Sequence, residues 1–170
     1  MAPRMTRRSW LAALPCGAAL GLLPTRSQAL AAGDAAPVLE LEGVAGPVSL
    51  AALQGRVVLL DFWASWCPPC RQSFPWMDQM LARHGGAGLS VVAVNLDRQR
   101  GAAELFMRAV PSRATIAFDP AGDTPRRFGA KAMPTSFIIG RDGRVRLQHD
   151  GFREADQGPL EMALRQALGA

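Results

Sequence analysis

Cys67 and Cys70 close the segment Asp61-Phe62-Trp63-Ala64-Ser65-Trp66-Cys67-Pro68-Pro69-Cys70. The segment reads as a buried strand running into the start of a helix, which puts the first cysteine at a helix N-terminus. The partial positive charge there favours thiolate, the attacking species in disulfide exchange. Two intervening residues bring the second thiol within reach of the first. Cys67 is therefore expected to attack a substrate disulfide and Cys70 to resolve the mixed disulfide, leaving a Cys67–Cys70 redox disulfide. Pro68 and Pro69 stiffen the loop and remove backbone donors, which bears on the hydrogen bonding of Cys67. A structural staple is a poorer account of the pair, because so small a loop removes little chain entropy.

Other chemistries of a cysteine pair fare worse. Zinc needs four ligands; there is no second cysteine pair, and His84 and His149 lie far apart in the sequence. Covalent haem needs a histidine directly after the second cysteine, and position 71 is arginine. Soft thiolates do select Cu(I), so a Cu(I)-binding, metallochaperone-like module using the same pair is the alternative reading. No resident metal or other cofactor is expected.

Asp61 lies six positions before Cys67 in an otherwise apolar run. A carboxyl there should be desolvated, with a raised pKa. Close to Cys70 it would take that thiol's proton during resolution. An exposed aspartate at the strand end is the competing reading. Trp66 adjoins Cys67 and is expected on an apolar rim that meets substrate, whereas Trp63 suits the core. Met77 and Met80 fall at helical spacing and read as core residues rather than copper ligands. Arg126 and Arg127 read as a solvated helix face.

These residues need elements to position them. Residues 38–50 alternate in part around Gly43 and Gly46-Pro47 and read as a hairpin, with Ser49 able to cap a brief turn through Leu53. Residues 57–62 and 89–96 are continuous apolar runs, the pattern of buried strands. Residues 68–84 are helical in pattern, with a kink expected at Pro75 and a stop at Gly85-Gly86. Residues 101–110 read as a helix with Leu105 and Phe106 turned inward, 115–118 as a short strand, and 123–128 as a short helix. Strands over 136–139 and 145–149 flank Arg141-Asp142-Gly143, which carries the Asp-Gly hairpin signal. A helix over 156–168 closes the chain. The order implies an α/β domain with one mixed sheet covered by helices.

Phe62-Trp63-Ala64-Ser65-Trp66-Cys67-Pro68-Pro69-Cys70-Arg71 resembles the active-site motif of exported thioredoxin-like proteins of the TlpA/ResA type. Met133-Pro134-Thr135-Ser136-Phe137-Ile138-Ile139, followed by Asp142-Gly143-Arg144-Val145, resembles the cis-proline strand and hairpin of the same family. The likeness covers about residues 35–168. It implies a thioredoxin-like fold with an N-terminal β-hairpin and a central βα insertion over residues 101–118. It implies an enzyme, a protein-disulfide oxidoreductase. The direction it implies is reduction of exported proteins, such as the haem-attachment cysteines of apocytochrome c or the thiols of copper-site proteins, with electrons from a membrane thiol donor. It also implies a cis Met133–Pro134 bond facing the cysteines, with the Met133 backbone pairing to an extended substrate strand; Trp66 and Pro68 join them as substrate-contacting residues. Thioredoxins use a buried acid at the place of Asp61. One departure stands out: many members carry a glutamate three residues after the second cysteine, and here that position is Ser73, so no role of that glutamate carries over.

Residues 1–31 contain Arg4, Arg7, Arg8 and Arg26 and no acid, then a 14-residue apolar stretch over 10–23 and the ending Ala29-Leu30-Ala31. These are the parts of a secretory signal peptide, and the stretch is short of the ~20 residues of a spanning helix. Thr6-Arg7-Arg8-Ser9-Trp10-Leu11 also resembles a twin-arginine export signal; lipidation of Cys16 is a further option. The expected division is a signal over 1–31 and one thioredoxin-like domain over 32–170, exported to the periplasm without a membrane span in the mature chain. The formal charge is +5, and the four early arginines carry all but one of it. The later basic residues are scattered, which excludes the clustered patch that nucleic acid binding requires.

Overall fold

The computed structural model describes residues 30–170. The expected signal over 1–31, including the twin-arginine motif and Cys16, lies outside the described residues except for its last two positions. Among the described residues no helix is long and apolar enough to cross a membrane.

The chain builds one seven-stranded mixed sheet. Its strands are β1 (Glu40–Gly43), β2 (Gly46–Ser49), β3 (Val57–Trp63), β4 (Leu89–Asn95), β5 (Thr115–Phe118), β6 (Thr135–Ile139) and β7 (Val145–Asp150). Across the sheet the order is β2-β1-β5-β4-β3-β6-β7. The helices are α1 (Pro68–His84), α2 (Arg100–Ala109), α3 (Asp123–Phe128) and α4 (Gln157–Leu168). β3 runs parallel to β4 and antiparallel to β6. With neighbours on both sides and cores on both faces, all seven of its residues are buried.

The two-residue period of a strand splits β3 between two cores. Val57, Leu59 and Trp63 face a cluster completed by Phe74, Met77 and Met80 of α1, Phe106 of α2 and Leu160 and Leu164 of α4. Val58, Leu60 and Phe62 face Leu39, Phe128 of α3, Phe137 and Val145. Both cores are knit by aromatic contacts: Trp63 meets Phe74 edge-on at 4.8 Å and Phe62 meets Phe128 at 5.5 Å between ring centroids.

The expected insertion is α2 followed by β5. β5 pairs parallel to β4 on one side and antiparallel to β1 on the other, so it carries the hairpin onto the sheet. Gly43 sits at this junction, where a Cβ would lie 2.6 Å from the Gly46 carbonyl oxygen and 2.8 Å from that of Ile116. Ser49 Oγ accepts from the Ala51 N–H at 3.2 Å and starts the short turn after β2. α1 runs through Pro75 as one element, with that ring on the exposed side. One inward assignment fails. Leu105 is 63% exposed, while Phe106 is buried. Ala103, Phe106, Met107 and Val110 form the inward stripe at three- and four-residue spacing, and Leu105 falls off it.

At one end of the sheet two guanidinium groups tie the strand ends together. Arg56 donates from Nη2 to the Leu89 carbonyl (2.7 Å) and from Nε to Ser90 Oγ (2.6 Å). Arg141 donates from Nη1 to the Gly55 carbonyl and from Nη2 to that of Ala87, both at 2.8 Å. Gly88 leaves room for the second: its φ is +102°, and a Cβ there would lie 2.9 Å from Arg141 Nη1. The cysteine pair lies at the opposite end, beyond the C-terminal end of β3.

Candidate active site

β3 delivers the chain into a tight turn closed by the Cys67 N–H donating to the Ala64 carbonyl (3.1 Å). Cys67 is then the N-cap of α1, with φ −93° and ψ 106°, and its Sγ accepts from the Cys70 N–H at 3.2 Å. Pro68 and Pro69 occupy the first two helical positions and have no N–H, so of the first three helical residues only Cys70 can donate to that sulfur. The N-terminal partial charge of α1 acts on the same atom. Cys67 and Cys70 are joined as a disulfide with their Cα atoms 5.3 Å apart. Cys70 is wholly buried and Cys67 keeps 3% exposure, so of the two sulfurs' residues only Cys67 reaches the surface. Trp66 beside it is 68% exposed, and Pro68 is exposed as well.

The turn is held from β4 by a cluster that sequence reasoning missed. Asp97 Oδ2 accepts from the Ser65 N–H (2.9 Å) and from Asn95 Nδ2 (2.8 Å), and Asp97 Oδ1 accepts from Ser65 Oγ (3.0 Å). The Asp97 N–H in turn donates to Asn95 Oδ1 (3.0 Å). A buried carboxylate with three donors is stable where a bare one is not. The only signal for it was an Asn-x-Asp pattern at the end of an apolar strand, which says nothing of a partner 32 residues upstream.

Asp61 is fully buried, which overturns the exposed reading. It lies between Leu59 and Trp63 on the face of β3 that packs against Cys70 and α1. Ser136, its cross-strand neighbour on β6, donates from Oγ to Asp61 Oδ1 at 2.5 Å, and Asp61 Oδ2 has no partner. Burial pushes the carboxyl from its ordinary 3.8 up to about 7, and the Ser136 hydrogen bond offsets only part of that.

The Met133–Pro134 peptide bond is cis. Pro134 is buried, and its carbonyl accepts from the Gly151 N–H (2.7 Å). Thr135 Oγ1 lies 2.8 Å from the Ala132 carbonyl and 2.9 Å from Asp150 Oδ1, which fixes the loop before β6. Met133 is half-buried and packs on the cluster that contains both cysteines. Met133 and Trp66 line one groove, together with Phe62, Leu96 and Pro125. Met133 thus joins the two sides: it packs on the cluster that holds Cys67 and Cys70 and lines the groove with Trp66, while Asp61 lies on the face of β3 turned to that cluster. Ser73 is buried and donates from Oγ to the Cys70 carbonyl (3.0 Å). It braces the helix behind the second cysteine. Met77 and Met80 are buried in the core. His84 contacts Glu161, His149 contacts Asp156, and among the described residues no group of three or more His, Cys, Asp or Glu is placed to hold a metal ion.

The arrangement can exchange a disulfide: a near-surface sulfur at a helix N-terminus, a second sulfur bonded to it from below, and a buried acid with a raised pKa. Comparison with known proteins points the same way. The AhpC/TSA family model matches residues 32–148. The thiol-disulfide oxidoreductase ResA of Bacillus thuringiensis subsp. konkukian is 29% identical over 136 residues, 78% of each chain. A Chlorobium tepidum structure assigned as the thiol:disulfide interchange protein DsbE is 56% identical and superposes with a TM-score of 0.82 over 83% of this chain and all of that one. StoA from Bacillus subtilis, at 26% identity, gives a TM-score of 0.63 over 75% of this chain and 96% of its own.

Proposed function

This chain belongs to the AhpC/TSA family and is a thiol–disulfide oxidoreductase of thioredoxin fold, and from that premise we propose that it reduces disulfides of exported proteins through a mixed disulfide at Cys67. The observation that carries the reading is the placement of Cys67 as the N-cap of α1, its sulfur accepting the Cys70 N–H, with Cys70 sealed beneath it. In the reduced enzyme the Cys67 thiolate attacks one sulfur of the substrate. A bond forms between enzyme and substrate sulfurs, the substrate S–S bond breaks, and the expelled thiolate takes a proton from water. Cys70 then attacks Cys67 Sγ, releases the second substrate thiolate and re-forms the internal disulfide. Two electrons have passed to the substrate.

Cys70 is buried as a thiol and is a poor nucleophile until its proton leaves. Asp61 is the proton acceptor, because its raised pKa makes it basic enough at neutral pH where an ordinary carboxylate is not. Trp66, Pro68, Met133 and Pro134 form the surface that the substrate strand lies against, the Met133 backbone pairing with it. The electrons come from a membrane thiol donor. Residues 1–31 act as the export signal, residues 32–170 form the mature domain, and the site of action is the periplasm. Haem-attachment cysteines of apocytochrome c and copper-site thiols are the substrates this setting offers.

Direction is tested by equilibrating residues 32–170 in defined dithiol buffers. A potential near that of thioredoxin, about −270 mV, supports reduction; one near that of the oxidant DsbA, about −120 mV, reverses it.

A further inference from the structure

The groove shared by Trp66 and Met133 has a volume of about 480 Å³. Its walls are apolar, from Trp66, Leu96, Pro125 and Met133, and its charged lining consists of Arg126 and Lys131, with no carboxylate. Trp66 is the residue before Cys67, and Met133 the residue before Pro134. The groove thus begins at the residue next to Cys67, within reach of the residues that flank a disulfide offered to it.

The two cations differ in their surroundings. Arg126 is held by Asp123 and by the Ala121 carbonyl, so part of its charge is answered inside the protein. Lys131 is exposed, and among the described residues it has no carboxylate within ion-pair distance. On the other flank of the pair Arg71, directly after Cys70, is exposed with its guanidinium 5.0 Å above the Phe106 ring. Asp97, which braces the turn before Cys67, is buried and bonded to Ser65 and Asn95. The opening thus presents positive charge over apolar walls. Low-dielectric walls focus such a field on whatever enters.

We infer that Lys131 makes this groove select protein disulfides whose attacked cysteine is flanked by an apolar residue and an aspartate or glutamate. The apolar neighbour fills the space between Trp66 and Met133, and the acid meets Lys131. This rests on the reading of Cys67 as the attacking nucleophile and names the class of substrate that reading leaves open.

The test uses pre-reduced protein at stoichiometric ratio, so no donor is needed. Three cyclic peptides each contain one disulfide, a phenylalanine beside each cysteine and a variable residue next to it: Asp, Asn or Lys. Each rate is divided by the rate of the same peptide with dithiothreitol, which removes the intrinsic effect of charge on the sulfurs. At 20 mM salt the normalised rate for the Asp peptide should exceed that for the Lys peptide by ~5-fold, the size expected for one or two exposed charge pairs, and the gap should fall below ~2-fold at 500 mM salt. Lys131→Glu should invert the order, a result that misfolding cannot produce. Equal normalised rates, or a preference that Lys131→Glu leaves in place, overturn the inference while leaving the reductase reading intact. Failure to reduce even the Asn peptide overturns both.

Discussion

Replacing Asp61 by asparagine should stabilise the protein, and by an amount that depends on pH. In the folded chain the carboxyl holds its proton up to about pH 7, against 3.8 ordinarily. Between those values the native state keeps a proton that the unfolded chain has released. Stability therefore falls as pH rises from about 4 to about 7 and is flat above. By linkage the full penalty above pH 7 is on the order of 4 kcal/mol, and at pH 5 it is less than half of that. The amide carries no such penalty and still offers Ser136 an acceptor. Asp61→Asn should therefore gain on the parent as pH rises, its lead at pH 8 exceeding that at pH 5 by roughly a few kcal/mol, read from urea unfolding of the two oxidised proteins. The change in the gap is the informative quantity, because the cost of burying the amide is the same at both pH values and cancels. A gap that stays constant from pH 5 to pH 8 would refute the assignment of a strained charge to this site. The same variant should pay in chemistry. Release of the mixed disulfide, followed in single turnover, should rise through about pH 7 in the parent and lose that limb in the variant, with a ~100-fold deficit at pH 8. Unchanged single-turnover rates would remove Asp61 from the mechanism.

Cys70→Ser should accumulate a stable mixed disulfide between Cys67 and substrate, visible on a non-reducing gel, whereas Cys67→Ser should form none. Asp97→Asn puts an N–H where one of the three donors from Ser65 and Asn95 now finds an acceptor. It should cost ~1–3 kcal/mol and speed amide exchange at Ser65 and Cys67, with helix α1 unchanged beyond its first turn. Phe74→Ala empties a site packed between Trp63 and Phe106 and should cost ~3–5 kcal/mol by thermal or urea unfolding.

Legibility in the sequence followed the range of the forces involved. α1 starts at Pro68 and ends before Gly85 as read, because a capping residue, two prolines and a pair of glycines are local signals. β5 and α3 fall on the expected residues for the same reason, each being bounded by turn-forming residues. Leu105 was misplaced because both it and Phe106 are apolar, and only the partners at 103, 107 and 110 decide which way a helix turns its face. The burial of Asp61 could be read from its apolar neighbours, but the hydroxyl of Ser136 that meets it comes from a strand 75 residues away. The Ser65–Asn95–Asp97 clamp was invisible on the same ground: it exists only once β3 and β4 lie side by side. The groove charge also depends on a loop, 130–133, brought beside Trp66 by the sheet. The reactive pair, being contiguous, was plain; the groups that tune and aim it arrive from elsewhere in the chain.

The arginine braces at the far end of the sheet divide the molecule's vulnerabilities. Arg56 and Arg141 bond backbone carbonyls at and just before the N-terminal ends of β3 and β4, and the far end of β3 leads to the cysteines. Damage to Arg141, or a side chain forced in at Gly88, weakens the strand framework without touching the sulfurs, so purified variants should turn over normally. In a cell the same lesions would show as scarcity, since a loss of one or two kcal/mol lowers the steady-state amount of a protein exposed to proteolysis. Inherited change at that end is thus read in abundance and at the cysteine end in rate, and the two kinds of defect call for different assays.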